Sequence, residues 1–283
     1  EAIITAFGHP LPEEVIRKGK KLQIISNFGA GVDNIPIQVA SERGIIVTNT
    51  PDAVTEATAE LTLALMLDVA RRVSELDRKI RRDEIEWGIM RNLGRTLYGK
   101  NLGVIGMGRI GMAVADRAKA MGMNIRYTNR HKLDPEKEKQ LGASFQDLRL
   151  LLSDSDVVSL HVPLTSETHH MIGYEEFQVM KPDAFLINTA RGPVVDERAM
   201  IQCLKEGCIA GAGLDVFENE PVIPDALRHM EQVVMTPHGG TATIETRIVM
   251  ARHAARNIID YFNGRRPKHI VNPEVYRSTA DPA

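Results

Sequence analysis

The chain has 283 residues, of which 43% are hydrophobic and 25% charged, and this composition and length favour a globular protein of two domains. Its 35 basic and 37 acidic residues give a net charge of −2, which offers no positive field to nucleic acid or an anionic membrane, so a small-molecule partner fits better. The absence of a long apolar stretch and of a signal-peptide pattern predicts a cytoplasmic protein without membrane contact.

The first third of the chain alternates short strand and helix signals. Apolar strands are predicted at 2–5, 23–26 and 45–48, and helices at 12–18 and 35–43. This alternation indicates a small doubly wound α/β unit.

A single long helix is predicted next, because apolar residues recur at steps of three and four. These residues are expected to bury one face of the helix. They are Leu61, Leu65, Val69, Val73, Leu76 and Ile80.

A second alternation begins with an apolar strand that leads into Gly106, Gly108 and Gly111 at G-x-G-x-x-G spacing. The first glycine permits a tight turn, the second lets the backbone approach a pyrophosphate, and the third lets the following helix pack closely on the strand. Such a motif alone is often a turn without a ligand. Here the strand before it and the helix after it favour a dinucleotide site.

The remainder of this region predicts one open, mostly parallel sheet of about six strands, a complete dinucleotide-binding domain. A final helix at 243–262 ends before Gly264, and the tail after it is expected to return to the first domain. The further strands are predicted at 124–128, 157–162, 184–189, 209–216 and 232–236.

The second strand of this domain lacks the acidic residue that holds the adenosine ribose of NAD. The first acid after it is Asp134, beyond the expected position, whereas Asn129, Arg130 and Lys132 are well placed to bind a 2′-phosphate. We therefore predict that NADP is preferred and that NAD is possible. The alternative is that the basic residues are ordinary exposed side chains.

Three later strands end in polar segments that a purely structural sheet does not need. They contain Arg191, Glu220 and His238. Because ligands of open α/β sheets bind at the carboxyl ends of the strands, the three side chains are expected at one edge. Each also has an ordinary interpretation, as a surface ion pair, a solvated acid or a turn residue.

With these segments the chain resembles the D-isomer-specific 2-hydroxyacid dehydrogenases, over about 29–273. The resemblance implies a Rossmann-type dinucleotide-binding domain inserted into a discontinuous flavodoxin-like substrate domain. The expected boundaries are 1–53 with 244–283 for the substrate domain and 54–243 for the dinucleotide domain. The matching segments are GAGVD at 29–33, GMGRIG at 106–111, HVPLT at 161–165, NTARG at 188–192, DVFENEP at 215–221 and TPHGG at 236–240.

The family's roles apply to matching positions. Arg191 is expected to hold the carboxylate of a 2-oxo acid, and His238, oriented by Glu220, to donate a proton to the carbonyl oxygen. The resemblance implies substrate contacts at Phe28, Ala30 and Gly31. It implies cofactor contacts at Gly106, Gly108, Arg109, Ile110, Gly111, Asn129, Arg130, Lys132, Val162, Pro163, Thr168, Thr189, Ala190, Asp215, His238 and Gly240.

The expected reaction is reduction of glyoxylate, hydroxypyruvate or 2-ketogluconate to the D-2-hydroxy acid. A short-type phosphoglycerate dehydrogenase and a dinucleotide-sensing, corepressor-like protein remain alternatives, whereas Glu220 disfavours a formate dehydrogenase. The resemblance also implies a homodimer formed through the dinucleotide domains. Two interpretations are open for Trp87, Met90 and Arg91: they reach the pocket of a neighbouring subunit, or they pack locally after the long helix. Family members carry a strand and helix before the segment matching 1–8, so this sequence is expected to begin late.

The remaining histidines and cysteines do not indicate a metal site. His161 ends a strand, and His169 and His170 lie in a polar loop. Cys203 and Cys208 are predicted to lie on different faces of one helix, as two reduced thiols that are poorly placed to pair.

Overall fold

Ten strands and eleven α-helices are found in residues 1–6 and 9–276, the part of the chain that the computed structural model describes. The strands are β1 Ala2–Ala6, β2 Ile24–Phe28, β3 Ile46–Thr48, β4 Asn101–Ile105, β5 Asn124–Thr128, β6 Ala143–Phe145, β7 Val157–Leu160, β8 Phe185–Asn188, β9 Gly211–Leu214 and β10 Val233–Met235. The helices are α1 Glu13–Lys18, α2 Ile37–Glu42, α3 Thr55–Arg71, α4 Val73–Arg81, α5 Arg109–Ala120, α6 Pro135–Leu141, α7 Leu148–Asp154, α8 Tyr174–Val179, α9 Glu197–Glu206, α10 Asp225–Arg228 and α11 Ile244–Phe262.

The chain divides into two compact units. Thr58–Gly240 forms the larger one, and the segments on either side of it form the smaller one. The first boundary falls four residues after the predicted one, at 57 rather than 53, and the second falls three residues earlier, at 240 rather than 243. The assignment of substrate binding to the smaller unit stays a prediction.

The smaller unit is built on a parallel sheet with the strand order β1-β2-β3. Ile25 of β2 packs in one cluster with Ile16 of α1 and Val39 of α2. The next residue, Ser26, points to the opposite face and donates a hydrogen bond to the Ala254 carbonyl of α11, at 3.0 Å. Helices therefore cover both faces, as the sequence predicts.

The tail after α11 pairs with β3, as expected. The Val271 N–H donates to the Val47 carbonyl at 2.8 Å, and the Val47 N–H donates to the Asn272 side chain at 2.7 Å. The tail thus belongs to the smaller unit.

The larger unit contains a parallel sheet with the order β10-β9-β8-β7-β4-β5-β6. This is the doubly wound order, and its direction of winding reverses between β4 and β7, where ligands of such sheets bind. Apolar side chains form the core on both faces. The parallel α/β fold predicted from the sequence is confirmed, with seven strands instead of about six. The missed strand, β6, has only three residues and pairs with β5 alone.

The single long helix predicted from Leu61 onward is wrong. The chain breaks at Arg72, which has a left-handed backbone with φ of 59°, and α4 begins after it. The break is stabilised by two hydrogen bonds from the Arg72 guanidinium to Glu75, at 2.7 and 2.5 Å. Val73 is consequently 57% exposed and Ile80 55% exposed, so only the first part of the predicted apolar face is buried.

The prediction that both cysteines lie on one helix is also wrong. α9 ends at Glu206, and Gly207 with φ of 76° turns the chain back, so that the Cys208 N–H donates to the Cys203 carbonyl at 2.9 Å. Both thiols are free. Burial is the main cause that raises the pKa of Cys203 to about 12, so this thiol stays protonated.

Among the described residues, no helix has the length and apolar character required to cross a bilayer.

Candidate active site

The glycine turn lies at the carboxyl end of β4, next to the point where the sheet reverses its winding. Gly106 has φ of 96°, and a Cβ atom on it would come within 2.7 Å of the His161 backbone. A Cβ atom on Gly111 would lie 2.2 Å from the Gly106 carbonyl oxygen, so the start of α5 packs directly on the turn. Both positions require glycine for steric reasons.

Gly108 differs from the other two glycines, because no described atom lies within 4 Å of the position of an added Cβ, leaving aside its chain neighbours. Gly108 is also the N-cap of α5, where the first backbone N–H groups of a helix lack intrahelical acceptors. Open space and N–H donors at a helix start suit the pyrophosphate of a dinucleotide. The residues present therefore fit such a cofactor.

Asn129 connects the end of β5 to the glycine turn. Its Oδ1 accepts a hydrogen bond from the Met107 N–H at 2.9 Å. Arg130 and Lys132 are exposed just after it, and the Lys132 amine lies 4.9 Å from the centre of the Phe145 ring. Asp134 caps α6 by accepting from the Glu136 N–H at 2.9 Å, which explains an acid at this position by helix formation.

The segment after β7 forms a tight turn. The Thr168 hydroxyl donates to the Pro163 carbonyl at 2.6 Å and accepts from the Thr165 N–H at 2.8 Å. A hydrogen bond from Thr165 is the first cause that lowers the pKa of Glu167, and the charge of Arg130 contributes too, so this turn lies within electrostatic reach of the basic residues after β5. The structure thus brings two predicted cofactor segments together. Val162 and Pro163 precede the turn and are not fully buried.

Arg191 follows β8 in a turn whose shape is set by Asn188. The Asn188 side chain accepts from the Ala190 N–H at 3.0 Å and donates to the Arg191 carbonyl at 2.9 Å. The Arg191 guanidinium donates to the Ala190 carbonyl at 2.8 Å. Thr189 shares a hydrogen bond of 2.8 Å with the Thr62 hydroxyl of α3.

Asp215, after β9, is 1% exposed and holds the turn that follows β10. Its carboxylate accepts from the Thr236 hydroxyl at 2.6 Å, the Gly239 N–H at 2.6 Å and the Gly240 N–H at 2.9 Å. Burial raises the pKa of Asp215, and these hydrogen bonds offset the shift in part. The structure gives Asp215 a structural role that the sequence analysis did not predict, and its contact with the cofactor stays a prediction.

His238 lies within the turn that Asp215 holds. Its backbone is left-handed, with φ of 52°, a conformation that a non-glycine residue adopts only when its surroundings impose it. The N–H of His238 donates to the Asp215 carbonyl at 2.8 Å. The backbone of His238 is therefore held by the same acid that holds the turn.

Glu220 pairs with His238. One carboxylate oxygen of Glu220 lies 2.8 Å from Nδ1 of the imidazole, and the other accepts from the Phe217 N–H at 3.0 Å. Burial alone would raise the pKa of Glu220, but these hydrogen bonds and the charges of His238 and Arg191 bring it below its ordinary value. The carboxylate is thus ionised at neutral pH, and both other predicted catalytic residues stabilise its charge.

Two further acids support the Glu220 segment, and the sequence analysis missed them. The Glu197 carboxylate accepts from the Glu218 N–H, and the Glu218 carboxylate accepts from the Glu197 N–H, both at 3.3 Å. Burial raises the pKa of Glu197. Glu218 belongs to a quoted motif, but the position of Glu197 at the start of α9 carries no signal of this pairing.

The predicted substrate residues Phe28, Ala30 and Gly31 lie in the smaller unit. The carbonyl of Ala30 accepts from the Asn49 side chain at 2.7 Å, and that of Gly31 accepts from the Asn27 side chain at 2.6 Å. The Arg247 guanidinium lies 5.7 Å from the centre of the Phe28 ring. The loop is thus held by side-chain amides, and its substrate contacts stay predictions.

The three histidines excluded from a metal role each have a partner within the larger unit. The His161 ring lies 2.9 Å from the Ser159 hydroxyl, and burial lowers its pKa to about 3, so it is neutral. The rings of His169 and His170 stack at 4.0 Å, and His170 lies 3.2 Å from a Glu218 oxygen. The described part of the chain contains no group of three or more His, Cys, Asp or Glu residues that could hold a metal ion.

Comparisons with known proteins identify the family. The family model described as D-isomer specific 2-hydroxyacid dehydrogenase, NAD binding domain, matches residues 63–240. A glyoxylate reductase of Thermococcus litoralis is 48% identical over 284 aligned residues, which cover 99% of this chain and 86% of that protein.

Two solved structures are similar as well. An NADPH-dependent glyoxylate/hydroxypyruvate reductase from Sinorhizobium meliloti, in complex with NADP and malonate, has a TM-score of 0.90 and 32% identity and covers 99% of this chain and 86% of its own. A D-lactate dehydrogenase from Aquifex aeolicus, complexed with NAD and lactic acid, has a TM-score of 0.89 and 32% identity and covers 98% of this chain and 87% of its own. The chain belongs to the D-isomer specific 2-hydroxyacid dehydrogenase family and is an oxidoreductase that acts on CH–OH donors.

Proposed function

We propose that the chain reduces a small 2-oxo acid to the D-2-hydroxy acid, with NADPH as the preferred reductant and glyoxylate or hydroxypyruvate as the first substrates to test. The observation that carries this proposal is the 2.8 Å contact between His238 and an ionised Glu220, within electrostatic reach of Arg191. A proton donor beside a guanidinium is what reduction of a 2-oxo carboxylate requires. The names of the relatives support the same substrate class.

In the proposed reaction each residue acts at a defined atom. The hydride for the 2-oxo carbon would come from a reduced nicotinamide when it is bound. The Arg191 guanidinium binds the substrate carboxylate with paired donors and polarises the 2-oxo group. Because Nδ1 of His238 is committed to Glu220, Nε2 is the nitrogen that carries the proton given to the carbonyl oxygen. The Glu220 carboxylate stabilises the protonated imidazole before transfer.

The proposed NADPH preference rests on the segment after β5. Arg130 and Lys132 are exposed there, and the first acid, Asp134, is engaged in capping α6. The two solved relatives contain NADP in one case and NAD in the other, so the family accommodates both. The basic residues favour the phosphorylated form in this chain.

Initial rates test the proposed function. Glyoxylate, hydroxypyruvate, pyruvate, 2-ketogluconate and 3-phosphohydroxypyruvate are each offered with NADPH and with NADH. We expect the highest kcat/KM with glyoxylate or hydroxypyruvate and NADPH. A maximum with 3-phosphohydroxypyruvate would favour the phosphoglycerate dehydrogenase alternative. Dinucleotide binding without turnover of any acid would refute the enzyme and favour the sensing protein.

Arg191→Ala is expected to lower kcat/KM for the 2-oxo acid roughly 10³-fold, because two charge-assisted hydrogen bonds to the carboxylate are lost. NADPH affinity, measured by fluorescence titration, should stay within about twofold, since the proposed partner of this residue is the substrate. Arg198→Ala, which removes an exposed guanidinium on α9, is the control and should leave both quantities unchanged. Full activity of R191A would show that the carboxylate is bound elsewhere.

Glu220→Gln is expected to move the alkaline fall of the reduction rate to lower pH. The sign follows from charge: the ionised carboxylate favours the protonated imidazole, and a neutral amide does not. The pH profile of kcat for reduction measures the shift. Asp225→Asn, which alters an exposed pair with His229 at 3.9 Å, is the control. An unchanged profile in E220Q would remove Glu220 from the proton-donating pair.

We also propose that the chain forms a homodimer through the larger unit. The segment after α4 presents three large apolar side chains, with Trp87 85%, Ile89 96% and Met90 77% exposed, and a second copy would cover them. Sedimentation of the double variant W87S/M90S should show a dimer dissociation constant raised at least about tenfold. Ile244→Ser, at a 77% exposed position of the smaller unit, is the control. A monomeric wild-type protein would contradict the proposal.

A further inference from the structure

A buried tyrosine lies beneath the basic segment that follows β5. Tyr127 is 0% exposed, and its ring packs edge-on against Phe145 of β6, with the ring centres 5.5 Å apart. Its hydroxyl accepts a hydrogen bond from the Leu133 N–H at 2.8 Å and donates one to the Glu138 carboxylate of α6. One phenol thus joins a sheet strand, the segment 129–133 and a helix.

The segment 129–133, hereafter the basic loop, is held at both ends. At its start Asn129 binds the Met107 N–H of the glycine turn, and at its end the Leu133 N–H binds the Tyr127 hydroxyl. Between these two points Arg130 and Lys132 are exposed, and Lys132 lies over the same Phe145 ring that packs against Tyr127. The segment that carries the two basic side chains is therefore hydrogen-bonded on both sides of them.

Packing alone does not explain a tyrosine at this position, because phenylalanine would fill the same space. A buried hydroxyl is costly unless it is hydrogen-bonded, and here it is bonded on both its donor and its acceptor side. Its contribution is a fixed end point for the basic loop. A loop fixed in advance loses less conformational entropy when its cationic groups bind an anion.

We propose that Tyr127 and Glu138 are positioning residues that set the discrimination between NADPH and NADH without contacting the dinucleotide. This inference rests on the proposed NADPH preference of the basic loop. The Tyr127 hydroxyl fixes Leu133, Glu138 fixes the direction of that hydroxyl, and the loop then presents Arg130 and Lys132 to the 2′-phosphate. NADH has a neutral hydroxyl where NADPH has the 2′-phosphate, so its affinity depends less on where Arg130 and Lys132 lie.

Fluorescence titration of the full chain with NADPH and with NADH tests the inference. Tyr127→Phe should raise the dissociation constant of NADPH about fivefold, which corresponds to the loss of one typical hydrogen bond. The dissociation constant of NADH should stay within about twofold of the wild-type value. The KM for NADPH should rise in parallel, while kcat at saturating NADPH stays close to that of the wild type. A purely structural role would move both dissociation constants together.

Glu138 is half-buried and provides a second position at which a hydrogen bond of the Tyr127 hydroxyl can be removed. Glu138→Gln keeps an oxygen acceptor for the phenol and should behave as the wild type, whereas Glu138→Ala removes the acceptor, leaves the contact with the Leu133 N–H, and should weaken NADPH binding by no more than Y127F does. The double variant Y127F/E138A should bind NADPH no more weakly than Y127F alone, because Y127F already removes both hydrogen bonds. Tyr174→Phe is the matched control, since the Tyr174 hydroxyl binds the Glu206 carboxylate at 2.8 Å on the helices α8 and α9, away from the basic loop.

The outcomes separate the two proposals. Suppose that the wild type prefers NADPH and that both variants, Y127F and E138A, keep the wild-type ratio of the NADPH and NADH dissociation constants. The positioning inference is then wrong and the preference stands. If both variants weaken NADPH and NADH equally, the tyrosine is structural and the inference is again wrong. If the wild type binds NADH as tightly as NADPH, the proposed preference fails and the inference fails with it.

Discussion

Parallel pairing of all strands in the larger unit is the constraint on which the candidate site depends. Each strand enters the sheet from the same end, so the segment that follows each strand lies at the same edge. The glycine turn, the basic loop, Arg191 and His238 follow four different strands in this way. Residues far apart in sequence are therefore delivered to one edge of the sheet.

Strand direction brings these segments to the edge, but buried polar side chains fix their shape. Asn188 shapes the turn of Arg191, Asp215 holds the turn of His238, and Tyr127 holds the basic loop. In each case a side chain on or just after a strand binds backbone groups of a following segment. Because unpaired polar groups are costly in the interior, each turn has one favoured conformation.

Two carboxylates near His238 have opposite electrostatic environments. Burial raises the pKa of Asp215, whereas the His238 contact and the charge of Arg191 bring the pKa of Glu220 below its ordinary value despite burial. The Asp215 oxygens accept hydrogen bonds from backbone and hydroxyl groups of one turn, whereas one Glu220 oxygen is hydrogen-bonded to the imidazole. Asp215 is thus suited to hold the turn that carries His238, and Glu220 is suited to support the proposed proton transfer.

The sequence by itself determined the α/β class, the glycine turn and the approximate strand positions. It also singled out Arg191, Glu220 and His238 as the candidate catalytic residues. These features depend on local signals: apolar runs, glycine spacing and motifs at strand ends. Only the tertiary structure decided the helix break at Arg72, the mutual hydrogen bonds of Glu197 and Glu218, and the contacts of Asp215 and Tyr127. Each of these depends on a hydrogen bond or ion pair whose partners are set by the folded chain. The edge strand β6 is too short for its periodicity to be recognised, and pairing with β5 forms it. Local pattern therefore predicts which elements form, whereas contacts between elements decide what each polar side chain does.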